Sequence, residues 1–299
     1  SEGQYQQRPS RLRAMQAGVA VAGVGVVGVL IGSLATPAER PAIQDTASVA
    51  SSPAQETNDP QVIAKGAADS RNGEAKSSAA KAQEGMNIPP NAEGIDVSNH
   101  NGSVDWNQVA ASGKKFAFVL ASDGTEFSSS SFDSQYHGAK DAGLLTGAYH
   151  FGRPDEPAKE QADLLLRTTG GYEADGKTLP PVLDMEVDPS SGGCYGLSPA
   201  GMEQWMNEFN GRVEQETGQD PIIYASTSFW QNCMGNSEAF SDNPLWLASY
   251  GVSDPSVPGG WDEHTFWQYS STGSVPGISG STDLNRFQGS GEDLKKLAR

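Results

Sequence analysis

The chain has 299 residues and carries 20 Lys and Arg against 37 Asp and Glu, a formal net charge of −17. That balance excludes nucleic acid as a partner, because no basic stripe exists to release counterions, and it argues against steering toward an anionic polymer. The length allows one large domain plus extensions, and all six Trp lie beyond residue 100, so the folded core is expected there.

Residues 1–13 form a basic head with Arg8, Arg11 and Arg13. Residues 14–36 hold an uncharged run of Val, Gly and Ala from Ala17 to Ala35, with Leu30, Ile31 and Leu34. Positive charge before an apolar run keeps the N-terminus in the cytoplasm and sends the downstream chain outward. The run suits a transmembrane anchor; Ser33-Leu34-Ala35 also suits the cleavage site of a signal segment. Either reading places the remainder outside the membrane, anchored or secreted. Residues 37–90 are rich in Ala, Ser, Gln and Asp and almost free of aromatics, which predicts a disordered extracytoplasmic linker.

From residue 91 onward short apolar runs alternate with helical patterns. Strands are predicted at 94–98, 116–121, 145–151, 181–187, 222–225, 245–249, 265–269 and, more weakly, around 282–285. Helices are predicted at about 105–113, 132–142, 157–169 and 198–217, with Ser198-Pro199 as a start signal and Gly113, Gly143, Gly170 and Gly218 as stops. Near-continuous apolar strands separated by helices predict a parallel sheet buried on both faces. Eight strands over about 205 residues fit a small (β/α)8 barrel. The connections after strands five to seven are short and rich in Gly, Pro and Ser, so the second half is expected to be mostly strands. An open doubly wound sheet is the runner-up, but no Gly-rich phosphate loop comes after strand one.

The chemistry concentrates in Pro181-Val182-Leu183-Asp184-Met185-Glu186-Val187-Asp188. Side chains alternate along a strand, so Asp184 and Glu186 are expected on one face. Two crowded carboxylates split their proton affinities, which is the division of labour that acid-catalysed glycosidase chemistry needs. A solvated strand-end pair is the alternative. In a barrel the site lies at the C-terminal strand ends, where Asp96, Tyr149, Phe151, Asp184, Glu186, Asp188, Ser249, Tyr250, Trp267, Gln268, Tyr269 and Asp283 would converge. Carboxylates and aromatics lining one groove suit a sugar polymer. Asp96 also suits a loop cap, Tyr149 and Trp267 equally suit core positions, and Asp188 also suits a strand terminator. His150 is expected to be packed or hydrogen-bonded rather than a ligand. Asp105 and Asp133 are expected near helix starts.

Cys194 and Cys233, an even count in an exported chain, predict a disulfide. No cofactor and no metal are expected. A metal-dependent polysaccharide deacetylase would need paired histidines, and His100, His137, His150 and His264 do not pair by spacing. A non-catalytic wall-binding protein on the same scaffold would be expected to lack Glu186.

Gly94-Ile95-Asp96-Val97-Ser98, Gly147-Ala148-Tyr149-His150-Phe151, Leu183-Asp184-Met185-Glu186, Phe266-Trp267-Gln268-Tyr269 and Asp283-Leu284-Asn285, in this order and spacing, resemble glycoside hydrolase family 25, the N-acetylmuramidase lysozymes. The resemblance covers about Ala92 to Phe287 and implies a modified, flattened (β/α)8 barrel within residues 91–299. It implies cleavage of the β-1,4 bond between N-acetylmuramic acid and N-acetylglucosamine, with peptidoglycan glycan strands as the partner of a monomer. By position, Glu186 resembles the general acid. Asp184 would stabilise developing positive charge or orient the 2-acetamido group. Asp96 and Asp283 resemble flanking substrate-binding acids, and Tyr149, Phe151, Trp267 and Tyr269 resemble subsite platforms.

Overall fold

The computed structural model describes residues 85–298; the basic head, the apolar run and all of the linker before Gly85 lie outside the described residues. Nine strands and six helices succeed one another among the described residues: β1 (Glu93–Val97), α1 (Trp106–Ala111), β2 (Phe116–Asp123), β3 (Phe127–Ser128), α2 (Phe132–Asp141), β4 (Leu145–Phe151), α3 (Ala158–Thr169), β5 (Val182–Asp184), α4 (Pro199–Thr217), β6 (Ile222–Ser226), α5 (Thr227–Cys233), β7 (Leu245–Ala248), β8 (Phe266–Gly273), β9 (Thr282–Phe287) and α6 (Gly291–Leu297). Eight of the strands close into a barrel in the order β1-β2-β4-β5-β6-β7-β8-β9, and β3 is a short flap paired to β2.

The expected all-parallel sheet is corrected at one strand. β9 runs antiparallel to both β8 and β1. Its connection from β8 is too short for the crossover a parallel neighbour needs, so the chain returns as a hairpin. The connections after the fifth to seventh predicted strands, expected to hold little helix, carry the seven-residue α5 directly after β6.

Alternation along the strands divides the apolar side chains into two layers. Phe116, Phe118, Leu120, Tyr149, Val182, Ile222, Tyr224, Trp246, Phe266 and Phe287 fill the barrel interior. Ile95, Val97, Ala117, Val119, Leu183 and Ile223 face outward, against helix residues such as Val109, Ala139, Leu165, Met206 and Phe209. Gly94 and Gly147 make room for the large interior rings. A Cβ at Gly94 would sit 2.5 Å from the Phe116 ring, and one at Gly147 2.7 Å from the Phe118 ring. Leu294 and Ala298 at the α6 end, with Met86 and Ile88, pack into the same inner cluster at the opposite end from the β1 carboxylate.

Local signals act as elementary chemistry requires. Asp105 caps α1 by accepting from the Gln108 N–H, and Ser198 caps α4 by accepting from Gly201. Gly170 and Gly218 close α3 and α4 in the left-handed conformation. α4 buries Met202, Trp205, Met206, Phe209 and Val213, one helical face laid on the barrel. Asp133 lies in the first turn of α2.

Candidate active site at the C-terminal rim of the barrel

Asp96 is the penultimate residue of β1 and is buried to 1% exposure. Its Oδ2 accepts from Gln268 Nε2 at 2.7 Å and from Asn285 Nδ2 at 2.8 Å. Each amide is oriented by a further donor. The Gln268 carbonyl oxygen accepts from the Tyr224 hydroxyl at 2.8 Å and from the Tyr250 hydroxyl, and the Asn285 oxygen accepts from Trp246 Nε1 at 2.7 Å. Both amides thus turn their N–H groups toward Asp96.

Asp283 is the register partner of Asp96 across the β1–β9 pair. Partners opposite one another project from the same face, so the reversal of β9 brings this acid, near the start of its strand, to the end of β1. Asp184 ends β5 at 1% exposure, in register with Phe151 on one side and Tyr224 on the other. The predicted strand through Val187 is shortened: the ladder stops at Asp184, although the Met185 N–H still donates to the Tyr224 carbonyl at 2.9 Å. Met185 and Val187 both pack into the outer layer, so alternation outlasts the ladder and leaves half-buried Glu186 on the Asp184 side. Asp188 lies four residues past the end of β5, so it does not terminate the strand; it precedes the turn that begins at Pro189. Its carboxylate accepts from the Ser190 N–H and from the Ser190 and Ser191 hydroxyls, and these bonds hold it below the usual carboxylate range.

The predicted aromatics separate. Tyr149 and Phe151 are buried in the interior wall, Tyr149 edge-on to Trp246 and Phe151 beneath the Arg153 guanidinium at 5.2 Å. Trp267 and Tyr269 flank Gln268 and therefore face the outside of the barrel. There Tyr269 lies against Trp267 and under Arg286, and Trp267 Nε1 donates to the Ser249 carbonyl. The structure does not bring these two together with the carboxylates; a one-residue alternation sends them to the other face. Among the described residues Tyr250 and Phe127, the latter paired to Asp123, are exposed aromatics at the rim.

Several rim residues were not singled out from sequence. A register shift between Leu120 and Ser122 turns Asp123 to the interior face, where it pairs in register with Phe151 and hence lies two strands from Asp184. Arg153 clasps it, Nε to Oδ1 at 2.7 Å and Nη2 to Oδ2 at 3.1 Å. Burial raises the Asp123 carboxyl, and Arg153 opposes the rise. Gln268 was expected at the rim without a role, and Asn285 stands inside a recognised motif; neither carries a reactive group, so nothing in their type announced what they do.

His150 is fully buried between Ser122 Oγ, 2.8 Å from Nδ1, and Gln161 Oε1, 2.9 Å from Nε2. Burial lowers it to about 4, so it is neutral above that pH. Cys194 and Cys233 form the expected disulfide, tying the segment after Glu186 to the end of α5. Among the described residues no group of three His, Cys, Asp or Glu side chains is arranged to hold a metal ion.

A closed barrel with four carboxylates at the C-terminal ends of β1 and β5 and at the facing end of β9 defines a glycoside-hydrolase type of site. The family model for glycosyl hydrolases family 25 matches residues 95–278. Lysozyme M1 of Streptomyces globisporus is 43% identical over 208 residues, covering 69% of this chain and 71% of that protein. An N,O-diacetylmuramidase of a Chalaropsis species is 39% identical over 212 residues, covering 69% and 98%. The crystal structure of a bacterial lysozyme from Streptomyces coelicolor superposes with a TM-score of 0.68 at 43% identity, covering 70% of this chain and 97% of that one. This chain belongs to glycosyl hydrolase family 25.

Proposed function

We propose that the chain is an N-acetylmuramidase that hydrolyses the β-1,4 bond between N-acetylmuramic acid and N-acetylglucosamine in peptidoglycan. What carries this reading is that Asp96 and Asp283 are register partners and Asp184 ends β5 two residues before Glu186, in a family 25 barrel. Relatives that act as lysozyme and N,O-diacetylmuramidase support it.

Glu186 is the half-buried member of its pair and the one open to substrate, which suits a general acid. It gives its proton to the glycosidic oxygen as that bond breaks. Water then supplies hydroxide to the anomeric carbon and returns a proton to Glu186. Asp184, buried and held by its strand, suits electrostatic stabilisation of the oxocarbenium-like charge and orientation of the 2-acetamido group. Asp96 and Asp283 bind substrate hydroxyls or tune Glu186, and Tyr149 and Phe151 form the wall beneath the sugar.

The working location is extracytoplasmic, which the disulfide and the wall-acting relatives support. The Arg-flanked apolar run at residues 14–36 supports a membrane anchor with the N-terminus in the cytoplasm. Among the described residues no helix is long and apolar enough to cross a membrane.

Reducing-end release from purified peptidoglycan, wild type beside Glu186→Gln, tests the reading. The expected products carry muramic acid at the reducing end and fall by a factor on the order of 10²–10⁴ in the variant. No release by folded wild type would leave a wall-binding protein as the better account.

A further inference from the structure

Arg153 is held more firmly than a rim arginine needs to be for packing alone. Two of its guanidinium nitrogens are spent on Asp123, while Nη1 makes no hydrogen bond among the described residues and the side chain keeps 24% exposure. Its backbone is clamped as well. Gln161 Oε1 accepts from the Arg153 N–H at 2.9 Å, and Gln161 Nε2 donates to the Arg153 carbonyl at 2.7 Å and to the Glu156 carbonyl at 3.2 Å. The same Gln161 oxygen takes the His150 N–H, and His150 in turn accepts from Ser122, the neighbour of Asp123. One buried relay therefore clamps the Arg153 backbone and reaches the Ser122 side chain beside Asp123.

A second group points to the same place. Tyr195 comes directly after Cys194 in the disulfide loop and takes a left-handed backbone, φ 57°, that costs a side-chain-bearing residue energy. Its hydroxyl is buried with no hydrogen-bond partner among the described residues. Arg153, Asp188 and Asp123 are among the charges that act on it, which places it near the pair. A buried hydroxyl without a partner is costly to the folded chain and is relieved when something brings an acceptor.

We propose that Arg153 and Tyr195 form a subsite that donates hydrogen bonds to an amide carbonyl of the substrate, with Asp123 as the residue that orients Arg153. The inference rests on the muramidase reading. An anionic ligand is disfavoured, because Asp123, Glu156 and Asp188 already surround the guanidinium with negative charge. A neutral carbonyl meets both donors without that repulsion. Peptidoglycan offers two sources of this chemistry, the acetamido groups of its sugars and the amides of its stem peptides. The register row Asp123–Phe151–Asp184 sets the subsite beside the catalytic carboxylates.

The test is calorimetric binding to the full chain carrying Glu186→Gln, with two probes: chitotetraose, which has acetamido carbonyls only, and a peptidoglycan tetrasaccharide with intact stem peptides. Tyr195→Phe and the paired change Asp123→Asn with Arg153→Gln are each added to that background. Loss of one neutral hydrogen bond predicts about fivefold weaker binding for Tyr195→Phe. Its melting temperature should stay unchanged or rise, because the deleted hydroxyl has no partner to lose; a purely structural tyrosine would lower it. Weakening toward both probes assigns the subsite to the acetamido group, and weakening toward the peptide-bearing probe alone assigns it to the stem peptide. Unchanged affinity for both probes in both variants overturns the proposal. Wild-type turnover, measured alongside, separates that result from failure of the muramidase reading, which would abolish release altogether.

Discussion

Asp96 and Asp283 stand directly opposite one another across the antiparallel β1–β9 pair, although 187 positions separate them in the chain. They meet only because β9 runs against its neighbours. In a fully parallel barrel the start of the last strand would lie at the floor, and Asp283 would be a barrel length from the site. The reversal also brings Asn285 level with Gln268, so two amides converge on Asp96.

That convergence predicts the effect of Asp96→Asn. The new amide presents N–H groups to donors already aimed at it, and two charge-assisted hydrogen bonds are lost or weakened. Urea unfolding should show a loss of about 2–4 kcal/mol, and peptidoglycan release should fall with it. A double-mutant cycle with Gln268→Leu should give a coupling of at least about 1 kcal/mol. Additive behaviour would mean that the amide network does not hold Asp96.

The barrel itself was legible because two periodicities and several caps all pointed one way. Phe116–Ala121 and Leu145–Phe151 read as buried strands, and Ser198-Pro199 with Gly218 bracketed α4 within a residue. Strand direction has no signature in side-chain pattern, so β9 was placed but expected parallel, the reverse of its direction. Trp267 and Tyr269 were expected at the rim; an aromatic pair flanking a glutamine does not say which of the three points inward. α6 carried a readable signal, a capping box from Ser290 to Asp293, but α5 is only seven residues long and too short for a periodic pattern. Asp123 was hidden by the register shift in β2, which plain alternation does not anticipate.

Gly94 offers a test of interior packing. An added methyl would meet the Phe116 ring at 2.5 Å, well inside contact distance, with buried aromatics on several sides. Gly94→Ala should destabilise by about 1–3 kcal/mol. Adding Phe116→Leu should recover part of that loss, even though Phe116→Leu alone is destabilising. Thermal melts of the three variants decide the point, and absence of any recovery would show that the glycine serves the backbone rather than the ring.

His150 should make stability depend on pH. Its folded value is lowered to about 4 by burial, against an ordinary value of 6.5. Between those values the unfolded chain binds the proton and the folded chain does not, so stability rises with pH across the window. Relative to neutral pH the protein should lose about 3 kcal/mol as pH falls from roughly 6.5 to 4, with no further loss from this group below that. His150→Gln should flatten this part of the profile. An unchanged slope in the variant would assign the acid sensitivity to the carboxylates instead.

The disulfide links fold to chemistry through the segment just after Glu186. Cys194 and Cys233 are 39 positions apart, and closing a loop of that size contributes about 4 kcal/mol in the chain-entropy model. The bond ties the Asp188 turn and Tyr195 to the end of α5, which itself packs on β6 behind Tyr224. Replacing both cysteines with serine should therefore lower unfolding stability by about 2–4 kcal/mol. It should also reduce release of reducing ends at temperatures where the protein is still fully folded, because the backbone beyond Glu186 gains freedom. Comparing activity at low temperature with the urea midpoint separates the two effects. Full activity in the folded serine variant would show that the bond serves stability alone and that the β5 ladder by itself aims Glu186.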